Sequence, residues 1–244
     1  MDYEGESQHM VDTGACGSEA EAFVIALDGP AASGKSTVGL AVAKELGFFY
    51  LDTGLLYRGL TWLALQRGVK PGGAALAHLA RTTRLEVRPP TVQDGRQADV
   101  LASGEDITHQ LHTPDVDANV SRVSAHQEVR EALRLKQRAA ICAPGTILAG
   151  RDIGTVIAPD APLKVWLTAS VEERAHRRAA QTGEDYESVL ETMVKRDRID
   201  GTREVAPMVK APDAIEIDTD RLPPDAVVRQ IIALARERMG LKAG

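Results

Sequence analysis

The stretch GPAASGKST, Gly29 to Thr37, sets Gly29, four residues, then Gly34, Lys35 and Ser36 in the order GxxxxGK[ST]. Each residue type there has a task in holding a phosphate chain. Glycines let backbone N–H groups turn inward around a β-phosphate, the lysine reaches the β/γ oxygens, and the serine hydroxyl ligates Mg²⁺. The expected ATP-binding segment is therefore Gly29, Pro30, Ala31, Ala32, Ser33, Gly34, Lys35, Ser36 and Thr37, with Ser36 as the expected Mg²⁺ ligand. A ligand-free glycine turn is the bland alternative; the strand and helix patterns flanking the loop argue against it. This motif specifies a donor and leaves the acceptor open.

Phosphoryl transfer asks a protein chiefly to position groups and offset charge. A hydroxyl acceptor calls for a carboxylate that takes or orients its proton. A phosphate acceptor is already deprotonated, and the difficulty becomes bringing two anions together, for which arginine forks are suited. Arg58 follows DTGLLY, Arg151 ends the run GTILAG, and Arg203 lies with Arg196 and Arg198 in KRDRIDGTREVAP. Arg58, Arg151 and Arg203, in short polar loops, read as functional. Arg174, Arg177, Arg178 and Arg198 lie on helical stretches where Glu172, Glu173, Asp197 and Asp200 offer ordinary surface pairing instead.

These residues need a frame. FVIALD (Phe23–Asp28) is an apolar run of the kind that forms a buried parallel strand, and from Ser36 the spacing of Val38, Val42 and Leu46 predicts a helix closed by Gly47. FFYLD predicts a second strand, and Leu56, Leu60 and Leu63 a helix stopped by Gly68. From Val69 to Thr113 the texture changes to β-type residues and turns such as Asp94-Gly95, which predicts an inserted small sheet without a long helix. Helices follow around Val116–Val123 and Val129–Ala140, strands at GTILAG and LKVWLTA with the loop RDIGTVIAPDAP between them, then helices at 171–181 and 186–199. AIEID is a last strand and 225–239 a closing helix. Alternating strands and helices predict an α/β fold, an open parallel sheet with helices on both faces and ligands at the carboxyl ends of the strands. Trp62 and Trp166 read as core residues, and the histidines show no metal spacing.

LDTGLLYR, LAGRDIGTVIAPDAPLKVWLTASVEERAHRR and KRDRIDGTREVAP, in this order behind DGPAASGKST, resemble the bacterial type of cytidylate kinase, a nucleoside monophosphate kinase family. The likeness runs from about Phe23 to the C-terminus. It implies a P-loop NTPase-type core (23–68, 114–169, 204–244), an inserted monophosphate-binding region (about 69–113) and a helical lid (about 170–203). By the same resemblance Arg58, Arg151 and Arg203, with Thr53, hold the acceptor phosphate, Arg196 and Asp200 the ribose, and Ser121, Arg130 and Asp152 the cytosine; Lys35 acts with the three phosphate-holding arginines in catalysis. Arg174 and Arg178, with Arg177, belong to the lid over ATP. A carboxylate at Asp152 can accept from the exocyclic amine of cytosine but faces the O4 of uracil with no proton between them. The alternative for Asp152 is a strand-end metal ligand. This chain departs from the family at Ala149, where an acid usually precedes GRD; Mg²⁺ organisation then falls to Ser36, water and Asp28 or Asp52.

The bulk properties fit a soluble enzyme. The chain has 244 residues, 43% of them hydrophobic, enough for a sizeable core. Its net charge of −6 arises in residues 1–22, which hold six acids and no Lys or Arg and read as a mobile tail; beyond them 29 acids balance 29 bases. That balance gives no reason to expect nucleic acid or an anionic membrane as a partner. The two cysteines form no framework, and no signal peptide or membrane span is evident, so the expected location is cytoplasmic. Nothing marks an oligomer seam, and a monomer is the default. The expected reaction is ATP-dependent phosphorylation of CMP or dCMP. The rivals are a P-loop kinase with a small hydroxyl acceptor such as shikimate, and a non-catalytic nucleotide-binding module.

Overall fold

The computed structural model describes residues 22–70, 72–141 and 143–241. The stretch expected as a tail lies, except for Ala22, outside the described residues, as do Cys16 and Cys142.

Phe23–Asp28 forms β1, the centre of a five-stranded parallel sheet. Its order is β2 (Phe49–Asp52), β6 (Gly145–Gly150), β1, β7 (Leu163–Thr168), β8 (Ile215–Asp218). Strands covered on both faces read as near-continuous apolar runs, as β1 and β6 do, while β7 and β8 alternate in burial. Ile25 and Leu27 pack on one face against Val38 and Val42 of α1 (Lys35–Leu46) and Val227 and Ile231 of α8 (Pro224–Arg238). Val24, Ala26, Leu51 and Leu148 pack on the other against Ile153 and Ile157. Ile25, Leu27, Leu51 and Leu148 are essentially fully buried, and each such side chain contributes about 1.5–3 kcal/mol of transfer free energy. The rigid sheet brings Asp28, Asp52, Gly150 and Thr168 to one edge, and the loops leaving that edge carry the P-loop and Arg151.

A second core lies between α2 (Gly54–Gln66), α3 (Gly73–Thr82), α4 (Pro114–Ala125), α5 (Gln127–Ala139) and the antiparallel strands β3 (Leu85–Arg88), β4 (Asp99–Ala102) and β5 (Glu105–Asp106). The small sheet is present, and beside it the stretch, expected to hold no long helix, carries the ten-residue helix α3. Half of the buried stripe of α3, Leu76, Ala77, Leu79 and Ala80, is alanine, and its start is a glycine pair, which weakens the sequence signal. Trp62 packs partly buried against this core, and Trp166 is half-buried on β7.

The last helices, α6 (Val171–Thr182) and α7 (Tyr186–Thr202), pair through Ala175, Val189 and Met193. Ser170 caps α6 by accepting from the Glu173 amide, and Asp185 caps α7 by accepting from that of Ser188. His176 stacks on Tyr186 with ring centroids 4.2 Å apart. The loop expected after β6 contains a single π-helical turn, Ile153–Ile157.

Candidate active site

β1 leads into the phosphate loop through Gly29, where a Cβ would stand 2.2 Å from the Leu167 carbonyl oxygen, so only glycine fits beside β7. Lys35 folds back over the loop and donates to the carbonyls of Gly29 (2.8 Å) and Pro30 (2.6 Å). Enclosure of its ammonium, with the Arg151 guanidinium close by, pulls its pKa down to about 7. An incoming polyphosphate supplies the negative charge this ammonium lacks. The Tyr50 hydroxyl donates to Ser36 Oγ at 3.3 Å. Asp52, beside Ala149 in the β2–β6 register, accepts from the Gly54 amide through Oδ1 (2.8 Å).

Strand alternation turns Asp28 to the face opposite Leu27, under the π-helical turn. Its Oδ1 accepts from the Ile153 amide (2.8 Å) and its Oδ2 from that of Gly154 (2.7 Å). Burial pushes its pKa up to about 6, against the pull of these two amides. A carboxyl pKa raised on folding stabilises below pH about 4, and that contribution is lost as pH rises through about 6. The shift is worth about 3 kcal/mol at most. Asp28→Asn is expected to flatten the decline in apoprotein stability between pH 4 and 7 (about 2 kcal/mol in wild type). Urea unfolding at each pH checks this; an equal slope in both proteins contradicts it.

The acceptor side is a cluster of guanidinium groups threaded with carboxylates. Arg151, on the loop after β6, places Nε 2.6 Å from Asp200 Oδ2 and Nη1 3.3 Å from the Gly29 carbonyl, so it touches both halves of the site. Asp152 pairs with Arg130 of α5 and lies 3.6 Å from Arg203, which also lies 3.6 Å from Asp200. The Ala206 carbonyl, turned inward by a φ of 50°, accepts from Arg203 Nε. Arg58 Nη1 donates to the Leu111 carbonyl (2.9 Å) and to Asp117 (2.7 Å). Arg130 also lies over the Tyr57 ring at 5.4 Å, and donates to the Ser124 carbonyl one turn from the half-buried Ser121. Burial, then Arg151, brings the pKa of Arg196 down to about 10. Burial and then Arg130 also lower that of Arg203. Among the described residues, Arg196 Nε and Arg203 Nη2 are buried without a hydrogen-bond partner. Buried unpaired donors are costly, and five guanidinium groups (Arg58, Arg130, Arg151, Arg196, Arg203) against three carboxylates (Asp117, Asp152, Asp200) leave two positive charges. A dianionic phosphate satisfies both needs.

Thr53 sits at the seam. Its amide and hydroxyl both donate to the Ala149 carbonyl at 3.0 Å. On the lid side Arg174 is buried, pairs with Asp197 (2.6 Å) and donates to the Ala31 carbonyl of the phosphate loop (3.3 Å). Arg177 is tied to Glu173 and to Thr219 beyond β8. Arg178 is half-buried on α6. A cavity of about 410 Å³ opens beside the loop, lined by Ser33, Thr37, Arg177, Thr219, Leu222 and Pro223. Sequence reasoning did not single out Asp117, Thr219 or Pro223, which join the site through distant contacts and carry no local motif; Tyr57, next to Arg58, stood inside a quoted motif but was not itself picked out.

A P-loop at the end of the central strand, facing a guanidinium-lined cleft across an open parallel sheet, defines the class as a P-loop kinase fold. Within that class the chain belongs to the cytidylate kinase family, whose model matches residues 25–237. It is 50% identical over 216 residues to a cytidylate kinase of Herpetosiphon aurantiacus, covering 86% of this chain and 93% of that one. It is 44% identical over 222 residues to the cytidylate kinase of Geobacillus sp. (strain WCH70), covering 88% and 97%. A bifunctional pantoate ligase/cytidylate kinase of Synechococcus sp. (strain CC9902) is 45% identical over 227 residues, which span 90% of this chain but 46% of that longer protein.

Proposed function

We propose that this protein transfers the γ-phosphoryl group of ATP to CMP or dCMP, giving CDP or dCDP and ADP, as a Mg²⁺-dependent cytoplasmic monomer. The observation that carries the acceptor assignment is the guanidinium cluster at the end of β6, with buried unpaired N–H groups and Arg151 reaching back to Gly29. Among the described residues no helix is long and apolar enough to cross a membrane.

The chain's own groups divide the work. The amides of residues 29–37 cradle the donor phosphates, Lys35 and the lid arginines Arg174 and Arg178 offset their charge, and the cavity beside Thr219 has room for the donor base. Arg58, Arg151 and Arg203, with Thr53, hold the CMP phosphate near Lys35; Arg196 and Asp200 take the ribose. Ser121, Arg130 and Asp152 read the cytosine, with Arg130 and Asp152 locked together by their ion pair. A phosphate acceptor needs no general base. Hard oxygen donors suit Mg²⁺, and Ser36 Oγ and the Asp52 carboxylate, at the ends of the donor loop and β2, would hold it. When bound, the metal supplies charge neutralisation at the β/γ oxygens.

A hydroxyl acceptor would need a carboxylate free to take its proton. Asp28 has both oxygens engaged by backbone amides, and Asp52 has one. ADP formation with CMP, dCMP, UMP, AMP and shikimate tests the reading: turnover is expected with CMP and dCMP, and turnover with shikimate but not CMP refutes it.

Asp152→Asn is expected to lower kcat/KM for CMP and to reduce the preference for CMP over UMP by about tenfold or more, since Asn offers the uracil O4 a donor. Paired kinetics on the two nucleotides check it. An unchanged ratio returns Asp152 to a metal-binding or structural role.

A further inference from the structure

We infer that Asp28 is a positioning residue: by holding the amides of Ile153 and Gly154 it fixes Arg151 and Asp152 in register with the phosphate loop. The inference rests on the reading of Asp152 as the group that meets cytosine.

The π-helical turn cannot satisfy its own first amides. Its later ones are provided for, because the Asp152 carbonyl accepts from Val156 (2.9 Å) and Ile157 (3.3 Å). The amides of Ile153 and Gly154 point instead into the sheet, where Asp28, from a strand more than a hundred residues earlier, accepts one on each oxygen. Both partners sit in tight places. The Ile153 side chain is fully buried, and a Cβ on Gly154 would meet Asp28 Oδ2 at 3.4 Å and Lys164 Cδ at 3.2 Å. The two residues just before the turn are Arg151 and Asp152. The residue just after Asp28 is Gly29, whose carbonyl accepts from both Lys35 and Arg151. One carboxylate thus ties the chain entering the donor loop to the chain carrying the acceptor contacts.

Only a carboxylate of this length presents two acceptors to two parallel N–H groups; an asparagine presents one, and its amide N–H₂ faces the second donor. Burial already works against the charged form, and the Asp152 carboxylate adds to that while Lys35 opposes it. Exchange of the charge for a neutral amide is therefore tolerated by the fold better than the loss of a hydrogen bond alone suggests. A residue kept charged at such a place is explained by geometry that only the charged form provides.

The test is Asp28→Asn in the full chain at pH 8, with thermal melting, amide hydrogen exchange, and kinetics on ATP, CMP and UMP. Melting within a few degrees of wild type is expected, with faster exchange confined to the Ile153–Ile157 turn. With it go a fall of about 10²-fold in kcat/KM for CMP, as a misplacement of about 1 Å produces, and KM for ATP within about twofold. The decisive readout is the CMP:UMP preference, expected to drop about tenfold. A uniform loss on both nucleotides with the preference kept overturns the inference, because Asp28 would then act only through the charge of Lys35 or the stability of the fold. If wild type itself fails to phosphorylate CMP, the reaction reading falls and takes the inference with it.

Discussion

Replacing Arg203 with alanine is expected to lower kcat/KM for CMP by about 10³-fold or more while leaving the affinity for ATP within about twofold. Such a loss corresponds to about 4 kcal/mol of transition-state stabilisation. The side chain is 7% exposed, lies 3.6 Å from both Asp152 and Asp200, and has a buried Nη2 without a hydrogen-bond partner among the described residues. Removing it takes one positive charge from the acceptor cleft and leaves the two carboxylates facing a second anion with less to offset them. Its hydrogen bond and ion pairs among the described residues reach Ala206, Asp152 and Asp200 and none reaches the phosphate loop, so the donor side is spared. Initial-rate kinetics with ATP and CMP varied separately, alongside ATP titration of the variant, separate the two halves. If ATP affinity falls as far as activity, Arg203 belongs to the donor.

The second large effect is expected on the opposite side. Lys35→Met should lower kcat by about 10³-fold with CMP binding nearly unchanged. Its ammonium rests on the carbonyls of Gly29 and Pro30, with no carboxylate in contact among the described residues, at a pKa drawn down to about 7. A cation so poorly compensated gains most when a polyphosphate arrives, and the gain is larger as charge shifts onto the bridging oxygen during transfer. Methionine keeps the volume of the stem and removes the charge. Single-turnover rates with saturating ATP and CMP check it; a variant with normal kcat and raised KM for ATP would assign Lys35 to ground-state binding alone.

The donor site was legible because its information is local. Gly29, Gly34, Lys35 and Ser36 lie within a short stretch from the end of β1 to the first turn of α1, and the structure places them there. Strands β1 and β6 were equally legible as near-continuous apolar runs, since central parallel strands are buried on both faces. The arginines of the acceptor cleft could be picked out by type and loop position, but their partners could not. Arg58 with Asp117, Arg130 with Asp152, and Arg151 with Asp200 are pairings over tens of residues that leave no periodic trace. Asp28 shows the limit most clearly. Read locally it was one of two carboxylates offered to magnesium; in the fold, strand alternation points it away from Leu27 and onto two amides 125 and 126 residues later. The helix α3 was hidden by a different cause, a buried stripe that is half alanine behind two glycines.

The central claim is that the arginine cluster holds a nucleoside monophosphate as the phosphoryl acceptor opposite the P-loop. Its most direct test incubates the protein with Mg²⁺, CMP and ATP radiolabelled in the γ-phosphate, and separates the nucleotides. Label recovered in CDP, and lost from CDP in Arg203→Ala, is the predicted result. Label released only as inorganic phosphate, with CMP unchanged, would contradict it.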